Sequence, residues 1–178
     1  MQTLQRYRIQ ITGPSGSGKS YFAKQLEKMG YPAIDADNVN KLGMWVNSQG
    51  EIVEYNHDGD LQWLQEHKWV WDIKFLLEYL HTKQKVILFG GASNEHETAN
   101  EFDYVFYLKL LKDEILQNLL REERTNPYGK TDIQQIYASS KIDLFYQNIP
   151  HEWTRLVSRN PKDLISEIEE YLQAKILL

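Results

Sequence analysis

Cysteine is absent from this 178-residue sequence. Disulfide bonds and thiol catalysis are therefore excluded, and a zinc site would have to rely on histidines and carboxylates. Cysteine usage alone does not indicate a cellular compartment. The chain is long enough for one domain with small insertions, so we expect residues 1–178 to form a single domain with its own core.

An excess of basic charge and long apolar runs are also lacking. Lysine and arginine number 20 against 25 acidic residues, which gives a formal net charge of -5. A nucleic-acid-binding surface would need a basic stripe, so we expect no nucleic-acid partner. No stretch approaches the roughly 18 apolar residues of a membrane span, and no basic segment followed by an apolar run opens the sequence. We therefore expect a cytoplasmic protein without a membrane partner, and the oligomeric state stays open.

One motif near the N-terminus carries specific chemistry, because it matches the phosphate-binding pattern G-x-x-x-x-G-K-[ST], known as Walker A. Its glycines let backbone N–H groups point at phosphates, its lysine reaches the terminal phosphates and its serine hydroxyl ligates magnesium. The motif predicts ATP and Mg²⁺ as ligands, with Lys19 as a catalytic residue and Ser20 as a metal ligand. The predicted cofactor-binding residues here are Gly13, Pro14, Ser15, Gly16, Ser17, Gly18, Lys19, Ser20 and Tyr21.

The flanking sequence agrees with this interpretation. Residues 6–12 alternate polar with apolar side chains, which predicts a strand before the loop. Phe22, Leu26 and Met29 then recur on one face of a helix, whose positive N-terminus would lie on the phosphates. The alternative is a glycine-rich connector that carries an exposed lysine.

A second chemical feature follows in a short predicted strand over residues 31–37. Residues two apart in a strand share a face, so Asp35 and Asp37 are predicted to project together from its C-terminal end. Two carboxylates beside a phosphate loop indicate magnesium and a general base. In the alternative interpretation, Asp37 caps a helix that begins at residue 38 and Asp35 is only solvated.

Residues 43–66 have poor periodicity and many turn residues, which predicts an insertion with a short hairpin at residues 51–55. The segment is unusually aromatic, and Trp45 is predicted to contact substrate, although such side chains more often pack in a core. Residues 67–82 are predicted to form a helix. Residues 85–91 predict a buried parallel strand that ends at Gly90 and Gly91, where a ligand can approach the backbone closely. No acid ends this strand, so magnesium would depend on the earlier aspartates.

The second half of the chain continues to alternate strands and helices. A strand at residues 103–108 precedes a helix that ends near Arg121 and Arg124, which share one helix face and can reach a transferring phosphoryl group. Pairing with the neighbouring glutamates 122 and 123 is the alternative. A capping box at Thr131 predicts the next helix, up to residue 147. A strand at residues 153–157 and a helix that starts at Pro161 complete the pattern.

The order of these features resembles the shikimate kinase-like and nucleoside monophosphate kinase-like P-loop kinases across nearly the whole chain. The resemblance implies an α/β, three-layer P-loop NTPase fold with a five-stranded parallel sheet, a substrate-binding insertion at residues 43–66 and a helical lid at residues 121–131. It also implies that Asp35 and Asp37 serve magnesium water and the acceptor hydroxyl. Gly90 and Gly91 would line the acceptor pocket, and residues 159–161 would lie beside the adenine. The predicted contacts there are Arg159 and Pro161.

The predicted partners are therefore ATP and a small-molecule acceptor, and the predicted activity is transfer of the ATP γ-phosphate to a hydroxyl. No arginine occurs between Arg8 and Arg121, whereas the kinases that the chain resembles usually hold an anionic acceptor with arginines from this region. We therefore expect a nucleoside, sugar or polyol acceptor. The alternatives are an anionic acceptor of the nucleoside monophosphate or shikimate type, a nucleotide-dependent regulatory protein, and an ATP hydrolase.

Overall fold

The structure is a computed structural model, which describes residues 6–56, 61–123, 126 and 128–176. The strands are β1 (Tyr7–Thr12), β2 (Ala33–Asp35), β3 (Gly43–Val46), β4 (Ile52–Val53), β5 (Lys68–Trp71), β6 (Lys85–Phe89), β7 (Tyr104–Leu108) and β8 (Thr154–Leu156). The α-helices are α1 (Lys19–Lys28), α2 (Leu61–Glu66), α3 (Ile73–His81), α4 (Glu95–Thr98), α5 (Lys112–Leu120), α6 (Asp132–Gln147) and α7 (Pro161–Ile176).

Five of these strands form a parallel sheet in the order β2-β6-β1-β7-β8. The predicted five-stranded parallel sheet is therefore confirmed. Because β1 and β6 have neighbours on both sides, they are buried, and Ile9, Ile11, Ile87 and Phe89 have no exposed surface. All five strands point the same way, so the loops after β1, β2 and β6 meet at one edge of the sheet, where α/β folds bind ligands.

Helices cover both faces of this sheet and make a three-layer structure. On one face, the apolar side chains of α1 and α7 pack on β1, β6 and β7, with Leu26 and Ile168 fully buried. On the other face, Leu76 and Leu80 of α3 pack against Val86 and Leu88 of β6. Met29, which we predicted to belong to the buried stripe of α1, follows the helix and is 43% exposed.

Strand β1 has buried apolar side chains on one face and buried polar side chains on the other. Its odd-numbered residues belong to the hydrophobic core, whereas Gln10 and Thr12 on the opposite face are buried without any exposed surface. Polar side chains inside a central strand need hydrogen-bond partners from the layer above them. That partner proves to be Glu95 of α4.

The predicted insertion and the strand that follows it, β5, form a second, antiparallel sheet in the order β4-β3-β5. Trp45 of β3 is paired with Val53 on one side and with Trp69 on the other. The predicted hairpin at residues 51–55 is thus only the return strand of a larger sheet. The predicted helix at residues 67–82 was wrong over its first part, because residues 68–71 pair with β3 and α3 begins only at Ile73.

Candidate active site

The phosphate-loop motif lies between β1 and α1, as predicted. Gly16 and Gly18 have φ angles of 88° and 93°, a left-handed conformation that side chains other than glycine rarely adopt. A Cβ at Gly16 would lie 2.7 Å from the carbonyl oxygen of Ile115, so α5 packs directly against the loop. The side-chain amide of Asn118 on the same helix donates to the Gly16 carbonyl at 3.0 Å. The loop is therefore held in shape by the helix beneath it.

The N-terminus of α1 opens onto this loop. The first turn of α1 contains no acidic residue, and no side chain caps it, so its positive dipole end faces the loop without a competing carboxylate. Lys19 begins the helix, and its Nζ donates to the carbonyl oxygens of Gly13 at 2.6 Å and of Pro14 at 3.0 Å. This arrangement of backbone donors and an ammonium group is suited to binding phosphate.

A cleft of about 1280 Å³ extends from the phosphate loop. Residues from the loop, the β2 end, the insertion, α4 and α6 line it together. The predicted site residues that face it are Gly13, Pro14, Ser15, Lys19, Ser20, Asp35, Asp37, Trp45 and Gly91. The cleft is large enough for a nucleotide and a small acceptor side by side.

The two aspartates both line the cleft, but the predicted geometry was wrong. Strand β2 ends at Asp35, and residues 36–38 form a 3₁₀ turn, so Asp37 does not lie on the same strand face. Asp35 Oδ1 instead accepts a hydrogen bond from the Asp37 backbone N–H at 3.1 Å, which makes Asp35 the cap of that turn. The Asp35 side chain is half-buried and that of Asp37 is exposed. The cap fixes the Asp35 carboxylate at the cleft wall.

A third carboxylate, Glu95, also lines the cleft and was not predicted from the sequence. Glu95 is 5% exposed, and its Oε2 accepts a hydrogen bond from the Thr12 hydroxyl at 2.6 Å. Burial raises the pKa of Glu95 to about 7, while the Thr12 hydrogen bond and the positive charge of Lys19 act in the opposite direction. The polar residues of β1 were the sequence signal that could have indicated a buried polar partner.

An aromatic wall, which we define as Trp45, Tyr55 and Trp69, forms another side of the cleft. The ring of Trp45 stacks on Tyr55 with centroids 5.3 Å apart and meets Trp69 edge-on at 5.9 Å. The ring of Trp63 packs on the same cluster, with its centroid 5.2 Å from that of Trp45. The rings therefore pack together and three of them also line the cleft, while contact of Trp45 with a substrate stays a prediction.

Asn126 and Tyr128, two described residues between α5 and α6, line the cleft. The buried Gln134 side chain accepts hydrogen bonds from the backbone N–H groups of Gly129 and Lys130, at 2.9 and 3.0 Å. Its amide group also donates to the Tyr55 hydroxyl at 3.2 Å. Gln134 of α6 thus links Gly129 and Lys130 of the predicted lid to Tyr55 of the insertion. Closure of a lid stays a prediction.

Several predicted site residues lie away from the described cleft walls. Gly90 is buried where a Cβ would lie 2.4 Å from the Ala36 Cβ, so it serves close packing. Arg121 is exposed at the end of α5, and its carbonyl oxygen accepts from the Lys130 ammonium. Arg124 lies outside the described residues. Tyr21 is 53% exposed and does not line the cleft.

The residues predicted to lie beside adenine are at the carboxyl ends of β7 and β8. Arg159 donates to the carbonyl oxygen of Lys109 at 3.1 Å and pairs with Glu114 at 3.1 Å. Pro161 is the first residue of α7, which the Asn160 side chain caps by accepting from the Asp163 backbone N–H at 3.0 Å. Arg159 and Pro161 thus share the sheet edge with the phosphate loop but lie outside the described cleft walls.

Oxygen-bearing side chains of the cleft fit the chemistry of magnesium. Ser20, Asp35, Asp37 and Glu95 line the same cleft as the phosphate loop. No group of three or more histidine or acidic side chains in the described ranges is arranged to hold a metal ion by itself. This combination suits Mg²⁺, which keeps several waters and is bound through one or two protein oxygens together with substrate phosphates.

None of the helices in the described part of the chain is both long and apolar enough to span a bilayer.

The fold of this chain is the fold of the P-loop kinases that act on small molecules. The family model described as an AAA domain matches residues 9–139, and the chain therefore belongs to that family. The match begins within β1 and ends within α6, so it includes the phosphate loop, β2 and the insertion. No curated protein sequence matches the chain.

Solved structures with the same fold span almost the full chain. A shikimate kinase from Acinetobacter baumannii, in complex with shikimate, is 20% identical with a TM-score of 0.54, over 97% of this chain and 96% of that one. A deoxyadenosine kinase from M. mycoides with bound dATP is 16% identical with a TM-score of 0.53, over 93% and 99%. At these identities the likeness establishes the fold and leaves the acceptor open.

Proposed function

We propose that the protein is an ATP-dependent kinase that transfers the γ-phosphate to a hydroxyl group of a small metabolite. The observation that carries this proposal is a single cleft that joins a phosphate loop to half-buried and exposed carboxylates and to an aromatic wall. A nucleotide on the loop and an acceptor against the aromatic wall would meet at the carboxylates. Phosphoryl transfer depends mainly on such positioning and on neutralisation of charge.

The phosphate loop would bind the nucleotide. The backbone donors of residues 13–18 would surround the phosphates, and Lys19 would exchange its present contacts with two loop carbonyls for the terminal phosphates. Ser20 would ligate Mg²⁺, and Asp35 would hold a water of that ion. Bound Mg²⁺ supplies charge neutralisation on the phosphate oxygens.

The acceptor hydroxyl would be oriented by Asp37, which is exposed at the cleft. An exposed carboxylate within reach of a hydroxyl can accept its proton as the bond to phosphorus forms. Asp35 is half-buried and its carboxylate caps the 3₁₀ turn, which suits it to a fixed contact with a metal-bound water. We therefore assign the general base to Asp37 and the metal-side role to Asp35.

The charges of the cleft support a neutral or cationic acceptor. Lysine is the basic residue type that lines it, at Lys19, Lys24 and Lys141, and no arginine lines its described walls. Bidentate binding of a phosphate or carboxylate favours arginine, whereas tryptophan and tyrosine offer flat apolar surfaces to a sugar or a base. A nucleoside, a sugar or a polyol therefore fits the described walls better than a nucleotide or shikimate.

The decisive experiment measures ADP formation against a panel of acceptors, presented as matched neutral and phosphorylated pairs. We expect acceptor-dependent ADP release with a higher kcat/KM for the neutral member of the preferred pair. A preference for the phosphorylated member would refute the argument from charge. ADP release at the same rate without any acceptor would indicate an ATP hydrolase instead of a kinase.

Lys19→Ala provides the internal control for this experiment. We expect it to abolish turnover and leave the fold unchanged, because a phosphate-loop lysine contributes charge and little packing. The matched variant Lys28→Ala changes an exposed lysine in the last turn of the same helix and should keep parental turnover. Equal turnover by both variants would locate the activity outside this loop.

A further inference from the structure

Glu95 is a buried acid that the proposed mechanism has not yet used. It begins α4, six residues after β6 ends, and its carboxylate faces the central strand β1. The Thr12 hydroxyl donates to Glu95 Oε2 at 2.6 Å, and the Gln10 amide donates to the same oxygen at 3.5 Å. The hydrogen bonds of Glu95 thus fix its carboxylate beside the last residues of the strand that leads into the phosphate loop.

The surrounding backbone makes room for this carboxylate. A Cβ at Gly91 would lie 2.9 Å from the Thr12 hydroxyl and 3.1 Å from Glu95 Oε2, so only glycine leaves the pair undisturbed. The turn before α4 is fastened by Asn94, whose side chain accepts from the Trp71 N–H and donates to the Trp71 carbonyl, both at 2.9 Å. Glu95 is therefore held in place from both sides.

The ionised form of a buried acid destabilises the fold, so a glutamate at this position is expected to have a function that needs its charge. Burial raises the pKa of Glu95, and Lys19 is the cation that acts against this shift. The ion pairs of the described residues do not include Glu95. A glutamine of the same shape would accept the same hydrogen bond from Thr12 without a desolvated charge. Buried acids with strongly shifted pKa values cluster at functional sites.

The end of β6 lacks a carboxylate, and Glu95 supplies one from the next helix. That strand ends at Phe89 and is followed by two glycines, so it does not supply a carboxylate next to β1. Glu95 reaches the space beside β1 from the following helix and lines the cleft together with Lys19 and Ser20. Carboxylates thus reach the cleft from both sides of the loop, Asp35 and Asp37 from the β2 side and Glu95 from the β6 side.

We propose that Glu95 is a positioning residue that holds a water ligand of nucleotide-bound Mg²⁺ from the β6 side of the phosphate loop. This inference rests on the proposed nucleotide site. It adds to Ser20 and Asp35 a further magnesium-side residue, a glutamate on α4 that no motif in the sequence marks. Outer carboxylates of this kind typically change metal affinity by about 10- to 100-fold when they are removed.

The test measures binding of a non-hydrolysable ATP analogue by calorimetry, once with Mg²⁺ and once with EDTA, well above the Glu95 pKa of about 7. The ratio of the two affinities isolates the contribution of the metal. In Glu95→Gln we expect this ratio to fall by about tenfold or more, with affinity in EDTA equal to that of the parent or higher. Glu95→Asp, which keeps the charge on a shorter side chain, should restore part of the ratio.

The matched control is Glu97→Gln, which removes an exposed acid from the same short helix and should leave the ratio unchanged. A parental ratio in Glu95→Gln would overturn the proposal, and so would an equal loss of affinity in Mg²⁺ and in EDTA, because that is the result of a distorted loop. Failure of the parent to bind the analogue in either buffer would instead refute the proposed nucleotide site on which this inference depends.

Discussion

Substitution of Glu95 by glutamine should stabilise the protein at neutral and alkaline pH. Burial raises the folded-state pKa of Glu95 to about 7 from the ordinary glutamate value of 4.5. Each pKa unit corresponds to about 1.4 kcal/mol, so the ionised carboxylate costs the folded state up to about 3 kcal/mol. Glutamine avoids this cost and keeps the acceptor for the Thr12 hydroxyl.

The sign of the pH dependence follows from the direction of the shift. Because the folded-state pKa is raised, the folded protein retains a proton between pH 4.5 and about 7 that the unfolded chain has released. This contribution to the free energy of unfolding therefore falls as the pH rises through that window, and the full penalty applies above it. Glu95→Gln should match the parent at the acidic end and exceed its stability above pH 7.

Urea unfolding of the parent and of Glu95→Gln across this pH range measures the difference directly. Glu97→Gln, which alters an exposed acid on the same helix, should show no such window. A Glu95→Gln protein that is less stable than the parent above pH 7 would refute the reasoning, since the ionised carboxylate would then be favourable in the fold. The gain in stability would accompany the loss of magnesium coupling, which is the expected trade-off at a functional residue.

Three further substitutions test other parts of the cleft. Asp37→Asn should lower turnover by on the order of a hundredfold or more with little change in nucleotide affinity, and parental turnover would exclude it as the base. Gly91→Ala should destabilise the protein by about 1–3 kcal/mol in urea unfolding, because the added Cβ lies 2.9 Å from the Thr12 hydroxyl; an unchanged midpoint would show that the pair can move apart. Trp45→Leu should raise the acceptor KM and spare nucleotide affinity measured by calorimetry, and the reverse pattern would assign the aromatic wall to the nucleotide.

The sequence by itself determined the elements whose signals are local. The phosphate-loop motif needs only the order of its residues, and the alternation before it predicted β1 correctly. The capping box at Thr131 predicted the start of α6, and both of its reciprocal hydrogen bonds are present. The last helix likewise begins at Pro161 after an asparagine cap. Such signals act within one or two turns of chain, so no tertiary contact is needed to interpret them.

The conformation of one short apolar segment depends instead on the strand with which it pairs. The segment Lys68–Trp71 was predicted to begin a helix, and its pairing with β3 made it a strand. The ring of Trp69 occupies space that a side chain at Gly43 would fill, since a Cβ there would lie 2.1 Å away. Four residues carry too little periodicity to distinguish a helix from a strand, and the neighbouring strand decides the outcome.

Among the carboxylates of the candidate site, two were found from the sequence and one only from the tertiary structure. Asp35 and Asp37 were found from their position after β2, but the 3₁₀ turn separated their directions and made one the cap of the other. Glu95 could not be assigned to the site from sequence, because the contact that brings it there joins residues 83 positions apart. A hydrogen bond over that separation depends on the crossover that sets β6 beside β1, and only the tertiary structure creates it.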